Sequence, residues 1–187
     1  MLNIILASNN GLYGCDNYNG IPWFGLASED MKFFKKKTMN QTVIMSRKCY
    51  QLIKGKKKYK YRNASIMDFE IEYDQNILPG RKYRNESIMD FGIESGYDQN
   101  ILPGRNIVVV SRNNLLLESA IKLYPDAFII GHELLKTLLS IYSDPITVYH
   151  NILDIDLSNR NIINPVYLDH QIFMAPNIIL IENNLYD

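Results

Sequence analysis

One carboxylate, Asp30, stands where a charge needs a reason. It falls in the first turn of a helical pattern running from Ser28 to about Thr38, with Phe33, Phe34 and Lys37 on the same side at i+3, i+4 and i+7. A carboxylate beside aromatic rings needs hydrogen-bond donors or drifts toward its neutral form, and either behaviour can orient a ligand or assist a proton transfer. The plainer alternative is a solvated acid that, with Glu29, complements the positive end of the helix dipole. Ser28 is read as the N-cap, and Lys32, Lys35 and Lys36 fall on the side that faces water. A Pro22-Trp23 pair leads into this helix and a β-branched run follows it.

Periodicity places strands at 2–7, 42–45, 106–111, 127–130 and 146–150, and helices at 29–38, about 49–54, about 115–123 and 132–141. Short apolar strands alternating with helices predict an α/β fold, a mainly parallel central sheet flanked by helices on both faces. Ligands in such sheets sit beyond the carboxyl ends of the strands. Gly14, Ser46 to Cys49, Ser111-Arg112 and Gly131 would gather there.

The chain has 187 residues and a formal net charge of zero, enough length for one sizeable core and no general attraction to nucleic acid or anionic membrane. No run is long enough to span a bilayer, and a strand begins directly after Met1 without a signal-peptide layout, so a cytoplasmic protein is expected. Cys15 and Cys49 are read as free thiols. The three histidines, His132, His150 and His170, are scattered, and no metal site is expected.

Between the helices at 49–54 and 115–123 lies a tandem duplication. Lys60 to Arg81 and Lys82 to Arg105 differ by Ala64 against Glu86, Glu70 against Gly92, and the added pair Ser95-Gly96. Two copies are too few for a solenoid. They are read as a surface insertion at about 56–101 within a single domain covering 1–187, because loop entropy rises slowly with length. Lys54, Lys56, Lys57, Lys58, Lys60 and Arg62, with Tyr59 and Tyr61 interleaved, open it; with the acids that follow, this is a solvated loop rather than a nucleic-acid clamp.

The ordered blocks resemble the dihydrofolate reductase family. They are the strand Leu2 to Ala7, the turn Asn9-Asn10-Gly11 with Leu12-Tyr13-Gly14, Gly20-Ile21-Pro22-Trp23, and the helix carrying Asp30 and Phe34. Thr42 to Arg47, Leu102-Pro103-Gly104-Arg105 before Asn106 to Arg112, and Phe128-Ile129-Ile130-Gly131 complete the set. The resemblance covers roughly 1–55 and 101–150.

That resemblance implies NADPH-dependent reduction of 7,8-dihydrofolate to tetrahydrofolate by hydride transfer to the pterin ring. Asp30 matches the pterin-orienting acid, and Trp23 the residue that closes the loop over the reacting rings. Ala7, Met31, Phe34 and Ile53 match substrate-pocket positions, and Arg105, rather than Arg81, the arginine that binds the folate glutamate. Tyr149 stands at the position that backs the acid through a hydrogen bond. Tyr13, Gly14, Ser46, Arg47, Lys48, Cys49, Ser111, Arg112, Ile130, Gly131, His132 and Glu133 match the cofactor side. The partner expected is a small molecule, with no nucleic acid or membrane; fusion to, or association with, thymidylate synthase is left open.

Departures from the family pattern fall mainly in one half of the site. Gly131-His132 replaces paired glycines, Ser46 a glycine and Lys136 a tyrosine; Tyr149 replaces the threonine that backs the acid, and Asn151 to Asp187 diverges from the family's terminal antiparallel hairpin. Two alternatives therefore stand beside the reductase: a catalytically impaired homologue that binds a nucleotide or protein partner, and a related pterin or pyrimidine reductase.

Overall fold

The computed structural model describes residues 1–54, 101–110 and 114–185. Most of the duplicated insertion, including Arg81, lies outside the described residues, as do Ser111 and Arg112.

Six strands form an all-parallel sheet. In chain order the elements are β1 (Leu2–Asn9), β2 (Leu12–Gly14), α1 (Ser28–Thr38), β3 (Thr42–Ser46), α2 (Arg47–Ile53), β4 (Asn106–Val110) and α3 (Asn114–Leu123). β5 (Phe128–Ile130), α4 (Leu135–Ile141), β6 (Ile146–Leu153), β7 (Val166–Tyr167) and β8 (Ile178–Leu185) follow. β3 pairs with β4 and β5, β1 with β5 and β6, and β6 with β8, every pairing parallel. β2 and β7 add a short antiparallel ribbon. Asn9 pairs with Leu12 across a two-residue turn in which Asn10 and Gly11 both have positive φ, the geometry that matches strand twist.

Alternation along the strands explains the layering. Leu2, Ile4 and Leu6 of β1, with Val108, Val110, Ile146 and Val148, face a core closed by α3 and α4 through Leu117, Ile121, Leu135 and Leu138. Ile5, Val43, Met45, Ile107, Val109 and Ile130 point the other way, toward Phe33 and Phe34 of α1 and Cys49, Tyr50 and Ile53 of α2. Burial on both sides is why these strands read as near-continuous apolar runs.

Two local expectations are corrected. Ala27, not Ser28, is the N-cap of α1, without a side-chain bond, because the preceding loop already turns through Leu26 and Ala27 amides donating to the Trp23 carbonyl. The helix expected at 132–141 opens as a 3-10 turn over His132–Leu134 and becomes α4 at Leu135, after Gly131 at φ 82°. The terminal region, which diverges in sequence from the family's antiparallel hairpin, forms β8 parallel to β6 with eight residue pairs in register, and Pro165 and Pro176 stand just before β7 and β8, where no ladder donor is needed. The segment before β7 clasps the loop ahead of Trp23, with Arg160 Nη1 donating to the Pro22 carbonyl at 3.1 Å and its guanidinium 4.5 Å from the Tyr18 ring. Among the described residues no helix is long and apolar enough to cross a membrane.

Candidate active site

The start of α1 points into a cavity of about 360 Å³ on the α1–α2 side of the sheet. Asp30 lines it and is only 8 % exposed. Trp23, 2 % exposed, donates its indole N–H to Asp30 Oδ2 at 3.1 Å, and Asn151 Nδ2 donates to Oδ1 at 2.8 Å. Asp30 is therefore not the solvated first-turn acid that helix statistics alone allow. The loop before α1 carries Trp23 back over the acid, and the last residues of β6 bring Asn151 up from the sheet.

Most of the pocket residues expected from the sequence meet here. Ala7, Met31, Phe34 and Ile53 line the cavity near Asp30, with Met31 and Phe24 half-open to solvent at its mouth. Tyr13, Cys49, Ile130, Gly131, His132 and Glu133 line it farther along, so both halves share one space. Ile101 and Leu102 also line it, which brings the end of the second repeat copy to the site.

Arg105 does not line the cavity. Its guanidinium lies 5.2 Å from the Phe34 ring, Nε donates to Thr38 Oγ1 at 2.7 Å, and partial burial pulls its pKa down. Gly104 before it has φ 76°, and a Cβ there would fall 2.6 Å from the Met39 sulfur.

Tyr149 is not the residue that backs the acid. It packs under Lys37 at 4.0 Å and beside Phe33 and Phe128, while Asn151, two positions on and on the same face of β6, makes the bond. A shift of two along a strand preserves the face and changes only the depth. An asparagine at the end of a β-branched run was the signal available in the sequence; the structure buries it completely.

At the other end, charge is arranged differently. Ser46 caps α2 by accepting from the Cys49 amide at 3.0 Å and is paired with Glu133 Oε2 at 3.0 Å. The Glu133 side chain is 5 % exposed, with His132 Nε2 3.9 Å from its other oxygen. Burial pushes the Cys49 thiol far up, and the Glu133 carboxylate adds to this, so the neutral thiol is favoured. Lys48 is bound to Asp16 at 2.7 Å. Gly14, Ser46, Arg47 and Lys48 thus stand behind the cavity wall rather than on it. Gly14 backs His132, whose Cε1 leaves a Cβ there only 3.0 Å. Gly131, at φ 82°, is hemmed by Cys49 Sγ and Glu133 Oε2, 3.1 and 3.2 Å from where a Cβ would be.

Residues 1–78 match the family model for dihydrofolate reductase. The matched span contains Ala7, Tyr13, Trp23, Asp30, Met31, Phe34, Cys49 and Ile53, and ends before Arg105, Gly131 to Glu133 and Asn151. No curated protein matches the chain.

Proposed function

We propose that the chain, whose residues 1–78 match the dihydrofolate reductase family model, is a member of that family and reduces 7,8-dihydrofolate to 5,6,7,8-tetrahydrofolate with NADPH. The observation that carries this reading is the buried Asp30, held by two donors at the wall of a cavity of about 360 Å³. Each carboxylate oxygen can accept more than one bond, so the amino group and ring amide of a pterin are the kind of donors it can take. Two such bonds fix a flat ring in one orientation.

NADPH, when bound, supplies the hydride that reaches C6, while N5 gains a proton and the N5=C6 double bond becomes single. Asp30 holds the ring in register and keeps a negative charge where the protonated ring develops positive charge. Ala7, Phe34 and Ile53 exclude water and strengthen these interactions. The side chains beyond Asp30 fit such a cofactor: Ala7, Tyr13, Ile130 and Gly131 offer a mostly apolar wall in the same cavity. Ser46 and Lys48 at the start of α2 are the donor types that phosphates need. Both are engaged by carboxylates, so binding requires an exchange of partners.

Following NADPH absorbance with dihydrofolate tests the reading for the wild type and Asp30→Asn. Turnover by the wild type, lost at neutral pH in the variant and partly regained in acid, is expected. No oxidation by well-folded wild type would sink it. A second reading, a homologue that binds without turnover, is favoured by one observation: the two carboxylates, Glu133 and Asp16, that occupy the donors of the cofactor half.

A further inference from the structure

A hydrogen-bonded chain reaches Asp30 from the edge of the sheet. Asn183 Nδ2 donates to Asn151 Oδ1 at 3.1 Å, and Asn151 Nδ2 donates to Asp30 Oδ1 at 2.8 Å. The parallel register of β6 and β8 pairs Asn151 with Asn183, and Tyr149 and Leu153 with Ile181 and Leu185 on either side. Along that face of β8, Asn183 is the polar break in an otherwise apolar row of Ile179, Ile181 and Leu185.

Asparagine is ambiguous as a partner for a carboxylate. Its amide can present either the NH₂ group or the oxygen, and a fully buried Asn151 turned the wrong way would set oxygen against oxygen at hydrogen-bond distance. A donor on the far side of the amide biases that choice, because its bond to Oδ1 is made only when the NH₂ group faces Asp30. We infer that Asn183 is a positioning residue of the site: by donating to Asn151 it fixes that amide with its NH₂ group toward Asp30. The inference rests on the reading of Asp30 as the pterin-orienting acid. It assigns to β8 a part in the chemistry although β8 does not touch the cavity.

Losing this lock leaves Asp30 with a donor present for only part of the time, which raises the carboxylate's pKa and loosens its grip on the ring. The other ionisable groups among the described residues lining the cavity are Tyr13, Cys49, His132 and Glu133, and Lys37 lies on the same side of α1. Two measurements on the full-length protein separate the possibilities. Titration of the Asp30 carboxyl carbon by NMR needs no turnover. Its midpoint should rise by roughly one pH unit in Asn183→Ala, stay put in Asn184→Ala, and return in Asn183→Ser, whose hydroxyl can donate.

Steady-state kinetics should show kcat/KM for dihydrofolate falling about tenfold at neutral pH in Asn183→Ala, with KM for NADPH unmoved. Thermal midpoints control for folding. An Asp30 midpoint in Asn183→Ala equal to that in Asn184→Ala overturns the inference. A shifted midpoint in a protein that does not oxidise NADPH sustains the positioning role and sinks the reductase reading instead.

Discussion

At the Asp30 end of the cavity a carboxylate is met by two side-chain donors, whereas at the Gly131 end the donors are met by two carboxylates. The first arrangement suits a ligand with N–H groups. The second opposes an anionic ligand until Glu133 and Asp16 let go of Ser46 and Lys48. The Asp30 end thus turns a carboxylate toward the cavity, whereas behind the Gly131 end Ser46 and Lys48 already hold anionic partners.

The largest effect expected from breaking this comparison is at Asp30. Asp30→Asn should lower kcat/KM for dihydrofolate roughly 10²- to 10⁴-fold at neutral pH, the range lost with a group that assists proton transfer. NADPH affinity measured by fluorescence should stay within about twofold, since Asp30 lies at the other end. Equal losses for both ligands would show that the halves are not separable.

The second effect comes from the opposing half. A fixed negative charge about 5 Å from a phosphate costs on the order of 3 kcal/mol at an effective dielectric of about 20, and relaxation and salt reduce that. Glu133→Gln keeps the shape of the side chain and removes the charge. It should tighten NADPH roughly tenfold, with dihydrofolate binding unaffected and the gain shrinking as salt rises. Weaker NADPH binding in Glu133→Gln would mean that the carboxylate serves the cofactor rather than opposes it.

This asymmetry was only partly legible in the sequence. β1, β3, β4, β5 and β6 follow from short apolar runs and α1 to α4 from their place between them, while β2 was read only as part of a turn block; Asp30, Phe34 and Ile53 follow from one helical spacing and one block order. Asn151 was missed because Tyr149 shares its face, and periodicity cannot separate two positions on one face of a strand. β8 reads Ile178-Ile179-Leu180-Ile181 followed by Glu182-Asn183-Asn184, half a strand by pattern, and its parallel partner is set by tertiary packing. The Lys48–Asp16 and Ser46–Glu133 contacts join residues far apart in sequence or lying in loops, so no local pattern announces them. Departures from the family residues at Ser46 and His132 fall at the end of the cavity where the Glu133 carboxylate bonds Ser46, a contact no departure announced.

A third, smaller effect concerns the strand pair that carries Asn151 and Asn183. On its opposite face His150, 2 % exposed, lies between Ser8 Oγ, 2.9 Å from Nε2, and Glu182, 3.5 Å from Nδ1. Burial pulls the His150 pKa below 6.5, outweighing the attraction of Glu182. The unfolded chain therefore binds a proton more readily than the folded one. The contribution is fully present above about pH 6.5 and is lost as pH falls toward the folded value. The thermal midpoint should drop by a few degrees between about pH 7.5 and 5.5, and less so in His150→Gln. A midpoint in the wild type that holds or rises on acidification would place a protonated histidine in the folded protein.

The smallest effect is expected from the duplicated segment, and it bears on which copy serves the substrate half. Ile101 and Leu102 line the cavity, and Arg105 leads directly into β4, so the end of the second copy is built into the site. Removing Lys60 to Arg81 leaves those residues attached to β4 and shortens the connection from α2. Each halving of a loop changes closure entropy by only about 0.6 kcal/mol. The deletion should hold the thermal midpoint within a few degrees and KM for dihydrofolate within about twofold. A fall in substrate affinity at an unchanged midpoint would assign the first copy a role at the mouth of the pocket. A collapse of folding would make it part of the core, and the duplication would then have been kept for stability and not merely tolerated.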